Sequence, residues 1–424
     1  MNNIENTNYT IPPSGGQGAE NANHTTPPTG GQGATTPPSG GWGAVALARL
    51  FVGLLFIFSG LIKSNDPLGF GYKLLEYFEV LHVSFLNDFA TSIAILLCAL
   101  EIILGVLVLF GFWIKKVAWG LLLLILFFTF LTFYSAFFEV VTSCGCFGDA
   151  IPLTPWQSFA KDLVLLSLIL IIFINRNKIQ PFKASIKTQK VVLIIAVFSS
   201  LGFGIYTTNY LPILDFLPYK IGANIPELMR TPPGAALDVY EIIYNLKNKK
   251  NGETQTMTDK EYLKTQIWKD NNWEIVGDPV NKLLKKGYEV KIKDLKINDS
   301  QGTDYTHEII ENPYYNLVIV AYNLNKANNN AIGNLNALAI NAAENFNIRS
   351  VLLTSNSAED VDAFSEKHKL AFEVFYADAV PLKSMVRSNP GVLLFKNGVV
   401  INKWHFHTVP TYEEFAKTYF EKNE

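Results

Sequence analysis

The chain has 424 residues, long enough for two or more domains, and 35 Lys and Arg against 37 Asp and Glu leave a net charge of −2. That balance lacks the basic footprint of a nucleic-acid binder. Three cysteines, Cys98, Cys144 and Cys146, are too few for a disulfide-stapled scaffold and do not form a zinc-site pattern.

The average composition hides a division, because apolar residues crowd into about 44–211 and most of the charge follows. Residues 1–43 read as a disordered tail. Pro-Pro-Ser/Thr-Gly-Gly-Gln/Trp-Gly-Ala recurs at Pro12–Ala19, Pro27–Ala34 and Pro37–Ala44. Glycine and proline at that density cannot bury enough apolar surface to offset chain entropy. The basic start and short apolar core of a signal peptide are not found near Met1.

Crossing a bilayer as a helix takes an apolar run of about 18 residues. Five segments meet or approach that length: Ala44–Ile62, Asp88–Trp113, Val117–Val141, Pro155–Ile174 and Val191–Leu211. The fourth reaches spanning length if Thr154 caps it and Pro155 is its first helical residue. Lys115 and Lys116 fill one short loop, and Arg176, Lys178, Lys183, Lys187 and Lys190 crowd another. With five spans both loops share a side, which the positive-inside rule makes cytoplasmic. The N-terminus is then cytoplasmic, and the loops 63–87 and 142–154 face outward with everything after Leu211.

The second outward loop reads Ser143-Cys144-Gly145-Cys146-Phe147-Gly148-Asp149. Two thiols one residue apart can close a small, strained disulfide ring, for which Gly145 supplies backbone freedom. Such a ring is readily reduced, and it faces a compartment where disulfides persist. The start of the fourth helix, and Lys161 if it points back, would favour a thiolate. The alternatives are two inert cysteines in a turn that wants glycine, or a metal site, for which two thiolates alone are poor ligands. Cys98, in mid-span, reads as a small apolar residue. Glu101 lies one turn from it, where an ionisable group is costly and suggests function. It could relay protons if electrons leave through a membrane quinone, or simply bond to a neighbouring helix. Lys161 and Asp162 lie in the outer part of the fourth span.

Arg49-Leu-Phe-Val-Gly-Leu-Leu-Phe-Ile-Phe-Ser-Gly-Leu-Ile-Lys63, followed by Asp66-Pro67-Leu-Gly69-Phe-Gly-Tyr72-Lys73, resembles the opening of DoxX-type membrane proteins. Glu101 with Gly105, and then Cys144-Gly-Cys-Phe-Gly-Asp149, is similar to the related MauE branch. The likeness covers about 44–175 and implies a four-helix membrane bundle associated with thiol redox at the periplasmic face. It also implies work alongside a thioredoxin-like partner. The segment 176–213, a basic loop and fifth span, lies outside that core.

Residues 214–291 read as a linker and a small β-rich insertion, with Asp238–Leu246 and Glu253–Thr258 flanking Lys250-Asn251-Gly252. From 292 to 424 the order is clearer. Strands are expected at Leu317–Tyr322, Ser350–Thr354 and Phe372–Tyr376, and helices at Ala327–Phe346 and Ala358–Lys369. A hairpin over Gly391–Lys396 and Val399–Trp404 turns at Asn397-Gly398, and Tyr412–Phe420 closes as a helix. This order resembles a thioredoxin fold, with Pro390 after Asn389 as its cis-proline, and Asp294–Asp304 resembles the lead-in strands of the TlpA-like branch. The Cys-X-X-Cys position of that fold reads Tyr322-Asn-Leu-Asn-Lys-Ala-Asn-Asn-Asn-Ala331, and no cysteine follows Cys146. The domain therefore cannot do thioredoxin chemistry by itself. His405 and His407 would share one strand face as exposed residues or metal ligands.

The expected architecture is multi-domain: an α-helical transmembrane bundle, then a soluble α/β thioredoxin-like domain with a small β-rich insertion. The expected function is thiol–disulfide exchange at the outer face of the cell inner membrane. Cys144 and Cys146 would be catalytic, with Gly145, Glu101, Lys161 and Asp162 supporting and no metal. A membrane quinone is the candidate cofactor. Asn389 and Pro390 would bind periplasmic protein clients or a separate thioredoxin-like protein; membrane lipid is the other partner, and nucleic acid is none. The alternative is a non-catalytic membrane assembly factor with structural cysteines. A small-molecule transporter is disfavoured because few intramembrane residues besides Glu101, Lys161 and Asp162 are polar.

Overall fold

The computed structural model describes residues 39–140, 145 and 147–421, with side chains from 43 onward. The repeats of the N-terminal tail before residue 39 and the two cysteines Cys144 and Cys146 lie outside the described residues.

Among the described residues, five helices are long and apolar enough to cross a membrane. Helix α1 (Ser39–Asn65) runs into a shorter α2 (Pro67–Val80), and α3 (Ala90–Phe110) follows a 3-10 turn. Then come α4 (Ile114–Phe138), α5 (Pro155–Asn175) and α6 (Ile186–Asn209). Helix α5 starts as its sequence dictates: Thr154 accepts from the Gln157 amide, the Gln157 side chain returns to the Thr154 amide, and Pro155 takes the first position.

Glycines bring α1 and α3 together, antiparallel and close. A methyl group on Gly60 would come within 2.9 Å of the Cys98 carbonyl oxygen, and one on Gly105 within 2.9 Å of the Gly53 carbonyl oxygen. Small residues of this kind let backbones approach where lipid supplies no hydrophobic drive for association.

The segment 63–87 was expected to be a loop, and it is largely helical. Asp66 caps α2 by accepting from the Gly69 amide at 2.9 Å, and Pro67 occupies the first turn. Phe70, Leu74, Tyr77 and Phe78 form its buried stripe. The cap, the proline and the spacing are all legible signals. At 14 residues the helix is too short to span a bilayer, so its length does not mark it as a membrane helix.

The ends of the bundle sort cleanly. The Arg49 guanidinium donates to the Val108 and Leu109 carbonyls at 3.1 Å, and the Phe182 amide donates to the Phe110 carbonyl at 2.9 Å. Both basic loops therefore lie at one end. The C-terminal region sits at the other, where the Asn65 side chain bonds the Leu214 backbone through both its oxygen and its nitrogen, at 3.0 and 2.7 Å.

The C-terminal region mixes sheets and helices. After α7 (Ile225–Met229) comes a small antiparallel sheet of β1 (Val239–Asn248), β2 (Thr254–Thr258), β3 (Trp273–Ile275) and β4 (Val280–Lys285), with α8 (Asp259–Thr265) between β2 and β3. Gly252, at φ +75°, turns the β1–β2 hairpin.

The larger sheet follows α9 (Thr306–Ile310) and is built from β5 (Tyr315–Val320), α10 (Asn329–Phe346), β6 (Arg349–Thr354), α11 (Ala358–His368), β7 (Glu373–Tyr376) and α12 (Ala379–Met385). It is completed by β8 (Gly391–Lys396), β9 (Val399–His405) and α13 (Tyr412–Tyr419). Its order is β7-β6-β5-β8-β9, with β5, β6 and β7 parallel and β8 and β9 antiparallel to their neighbours. Asn397 and Gly398, at φ +51° and +78°, turn the β8–β9 hairpin. The central strands are apolar almost throughout because both faces are covered. Helices α10, α11 and α13 pack on one face, and α7, α9 and α12 with Ile292, Leu295 and Ile297 on the other. The Asn389–Pro390 bond is cis.

Candidate functional site

Among the described residues, two buried charge pairs lie inside the bundle. Near the end of α1, Lys63 is 4% exposed and donates to Glu101 on α3, itself 3% exposed. The ammonium also lies 4.6 Å from the Phe128 ring centre and 5.2 Å from that of Phe70, both favourable cation–π contacts. The sequence carries Lys63 only as the end of a family-like motif; a lysine near a helix end ordinarily snorkels to the interface, so nothing local marks it as an intramembrane partner. It accounts for the ionisable group at Glu101. Among the described residues, the other Glu101 oxygen, Oε2, has no hydrogen-bond partner.

In the second pair, Asp162 is 1% exposed and accepts from Thr132 Oγ1 at 3.0 Å and Lys161 Nζ at 2.7 Å. The Lys161 ammonium lies 5.2 Å from the ring centre of Phe147, the residue after Cys146, so Lys161 does point back toward that loop. A cavity of about 20 Å³, lined by Lys63, Glu101, Lys161 and Asp162, joins the two pairs. It has room for about one water molecule. Cys98, the one cysteine among the described residues, is a free buried thiol on α3, packed against Phe70, Leu74 and Phe78 of α2.

A larger cleft, of about 390 Å³, opens where the bundle meets the C-terminal region. Lys63 lines it from below, α2 forms one wall, and Lys383, Ser384 and Arg387 form another. Gly145, the residue between Cys144 and Cys146, lines this cleft at φ +64°, close to the Lys73 side chain. The Gly148 amide returns to the Gly145 carbonyl at 3.0 Å and closes a turn.

Arg387 is the charged centre of the cleft. Its Nε meets both Asp66 oxygens at 3.0 and 2.8 Å, Nη2 meets Asp149 at 3.3 Å, and Nη1 donates to the Lys383 carbonyl. Burial opposes its charge, but the carboxylates of Asp66 and Asp149 outweigh that and hold its pKa above the ordinary arginine value. The same contact joins Tyr72 and Tyr322 through their hydroxyls at 3.1 Å. Burial first, then Tyr322, keeps the Tyr72 phenol protonated. Behind this wall Lys403 on β9 pairs with Asp215, although burial lowers its pKa.

Asn389 and Pro390 follow Arg387 after one residue, Ser388. The Asn389 side chain donates inward to the Asn323 carbonyl at 2.7 Å, and its backbone carbonyl accepts from Asn328 at 3.1 Å. The turn Tyr322–Asn328 and the Asn389–Pro390 bond thus form one edge, which faces α2.

The two histidines correct an expectation. His405 ends β9 and is 3% exposed, whereas His407 lies beyond the strand and is exposed. The chain turns after His405, so alternation does not carry across. Burial, followed by the charge of His407, pushes the His405 pKa down to about 4. His407 contacts the Asn209 carbonyl at the end of α6 at 2.7 Å.

Five apolar helices with charge pairs in the bundle core, joined to a mixed α/β region at one end, define a multi-pass membrane protein. Residues 43–175 match the family model of methylamine utilisation protein MauE, so the bundle is MauE-like. A stretch of 135 residues is 27% identical to Protein TlpB of Flavobacterium psychrophilum. It covers 31% of this chain and 36% of that protein, so the match spans about a third of each.

Arg387, Asp66 and Lys63 escaped the sequence reading. Asp66 was visible as a helix cap, whereas nothing local marks Arg387 as a partner for residues more than two hundred positions away.

Proposed function

We propose that the chain carries out thiol–disulfide exchange through Cys144 and Cys146, on the outer face of the cell inner membrane. The observation that carries this reading is Gly145: the residue bonded to both cysteines lines the cleft between the bundle and the C-terminal region. The positive-inside distribution supports the orientation, with basic loops in the cytoplasm and the cleft on the periplasmic side. The sheet order and the Asn389–Pro390 bond support a thioredoxin-like fold for 292–424, and the opening of α1 supports the DoxX relationship.

A thiolate on a partner attacks one sulfur of the Cys144–Cys146 disulfide, forming a mixed disulfide and releasing the other cysteine as a thiolate. The partner's second thiolate then displaces the remaining cysteine. The partner is oxidised by two electrons, the pair becomes a dithiol, and an oxidised partner reverses the sequence. Lys161 at the loop favours the thiolate forms. The cavity beside Glu101 does not fit a quinone ring, so no step runs through a quinone.

The C-terminal region caps the cleft in this reading. Its Asn389–Pro390 edge faces α2, and clients approach the cysteines through the cleft opening. The rival reading, an assembly factor, draws on the same covered edge and the missing Cys-X-X-Cys pair. Thiol trapping in intact membranes, on a Cys98→Ala background, separates them. Exchange requires a mobility shift after reduction, and Cys144→Ser/Cys146→Ser must change client disulfides. Thiols that stay reduced in an oxidising compartment, with unchanged clients, would favour the assembly factor.

A further inference from the structure

Arg387 comes from the C-terminal region, yet its carboxylate partners both belong to the membrane half. Its side chain is 6% exposed, with Asp66 at 2.8 Å and Asp149 at 3.3 Å. Asp149 lies three residues after Cys146, and Gly145 lines the same cleft. The other cations there are engaged elsewhere: Lys63 with Glu101, Lys73 with Glu76 at 2.8 Å, and Lys403 with Asp215. Lys383 faces Glu76 and Glu79 and lies 4.9 Å from the Tyr72 ring centre. Among the described residues, Arg387 is the cation within ion-pair distance of Asp149.

Resting on the exchange reading, we infer that Arg387 is a positioning residue for the Cys144-Gly145-Cys146 loop: it ties Asp149 to Asp66 and offsets the field of both carboxylates at the thiols. Two uncompensated carboxylates beside a thiol disfavour its ionisation, and the thiolate is the reactive form. The C-terminal region, without a cysteine of its own, thereby sets the reactivity of cysteines in the membrane half.

The test is the pH profile of iodoacetamide alkylation of the reduced full-length chain in detergent, on the Cys98→Ala background. Arg387→Gln is expected to move the profile to higher pH by about one unit, a roughly tenfold slowing at neutral pH. Asp149→Asn, which removes a carboxylate and leaves Arg387 on Asp66, is expected to move it the opposite way. Arg387→Lys should fall between wild type and Arg387→Gln. If Arg387→Gln loosens the fold, Asp149→Asn still decides. An unmoved profile, or both variants moving in the same direction, overturns the inference. The profile reads the thiols and not the clients: shifts with clients indifferent to Cys144→Ser/Cys146→Ser defeat the exchange reading alone. Unmoved profiles with altered clients defeat Arg387 alone.

Discussion

Lys63 and Glu101 share one of the most demanding environments in the molecule. Burying either charge alone is costly, and the pairing offsets that cost. Removing one member leaves an uncompensated buried charge, whereas removing both leaves a polar but neutral gap. Lys63→Met should therefore destabilise the bundle by about 3–5 kcal/mol, and Lys63→Met/Glu101→Gln by much less. Thermal unfolding in detergent reads the difference; equal losses for single and double variants would show that the pair is not coupled. Asp162 differs, because Thr132 and Lys161 both serve it and Lys161 keeps partial contact with solvent. The sequence flagged Glu101, Lys161 and Asp162 because ionisable groups in apolar runs stand out. It did not flag Lys63, whose position near a helix end has a bland explanation.

At the scale of elements, local chemistry was largely legible. The Thr154 cap, the Asn397-Gly398 turn and the alternation of strands and helices after 315 all lie where residue types and spacings put them. Bulky and β-branched runs gave β5 and β6, and the small residues of α1 and α3 gave their close crossing. That crossing carries its own prediction. Gly105→Val forces a branched side chain against the Gly53 carbonyl, and overpacking of this kind costs about 1–3 kcal/mol. A lowered midpoint of thermal unfolding is expected, with Gly202→Val, where nothing lies within 4 Å, as the neutral control. If the two variants behave alike, the close approach of α1 and α3 does not limit stability. Helix α2, at 14 residues, is too short to stand out as a membrane span, and only its cap and buried stripe mark it in the sequence.

Across the whole molecule, the join between bundle and C-terminal region is polar and specific. Arg387 with Asp66 and Asp149, Tyr72 with Tyr322, and Asn65 with the Leu214 backbone all meet there. A double-mutant cycle of Tyr72→Phe and Tyr322→Phe should give a coupling of about 0.5–1 kcal/mol. Zero coupling would mean that the two regions do not rest on this contact. The sequence by itself determined the membrane helices, the order of strands and helices, and the absence of cysteine after Cys146, because each depends on the composition or periodicity of a continuous stretch. Tertiary structure alone decided that Lys63 answers Glu101, that His405 is buried while His407 is not, and that Arg387 reaches the loop after Cys146. Those facts depend on which distant residues share one desolvated volume, and no local pattern records the partner of a buried charge.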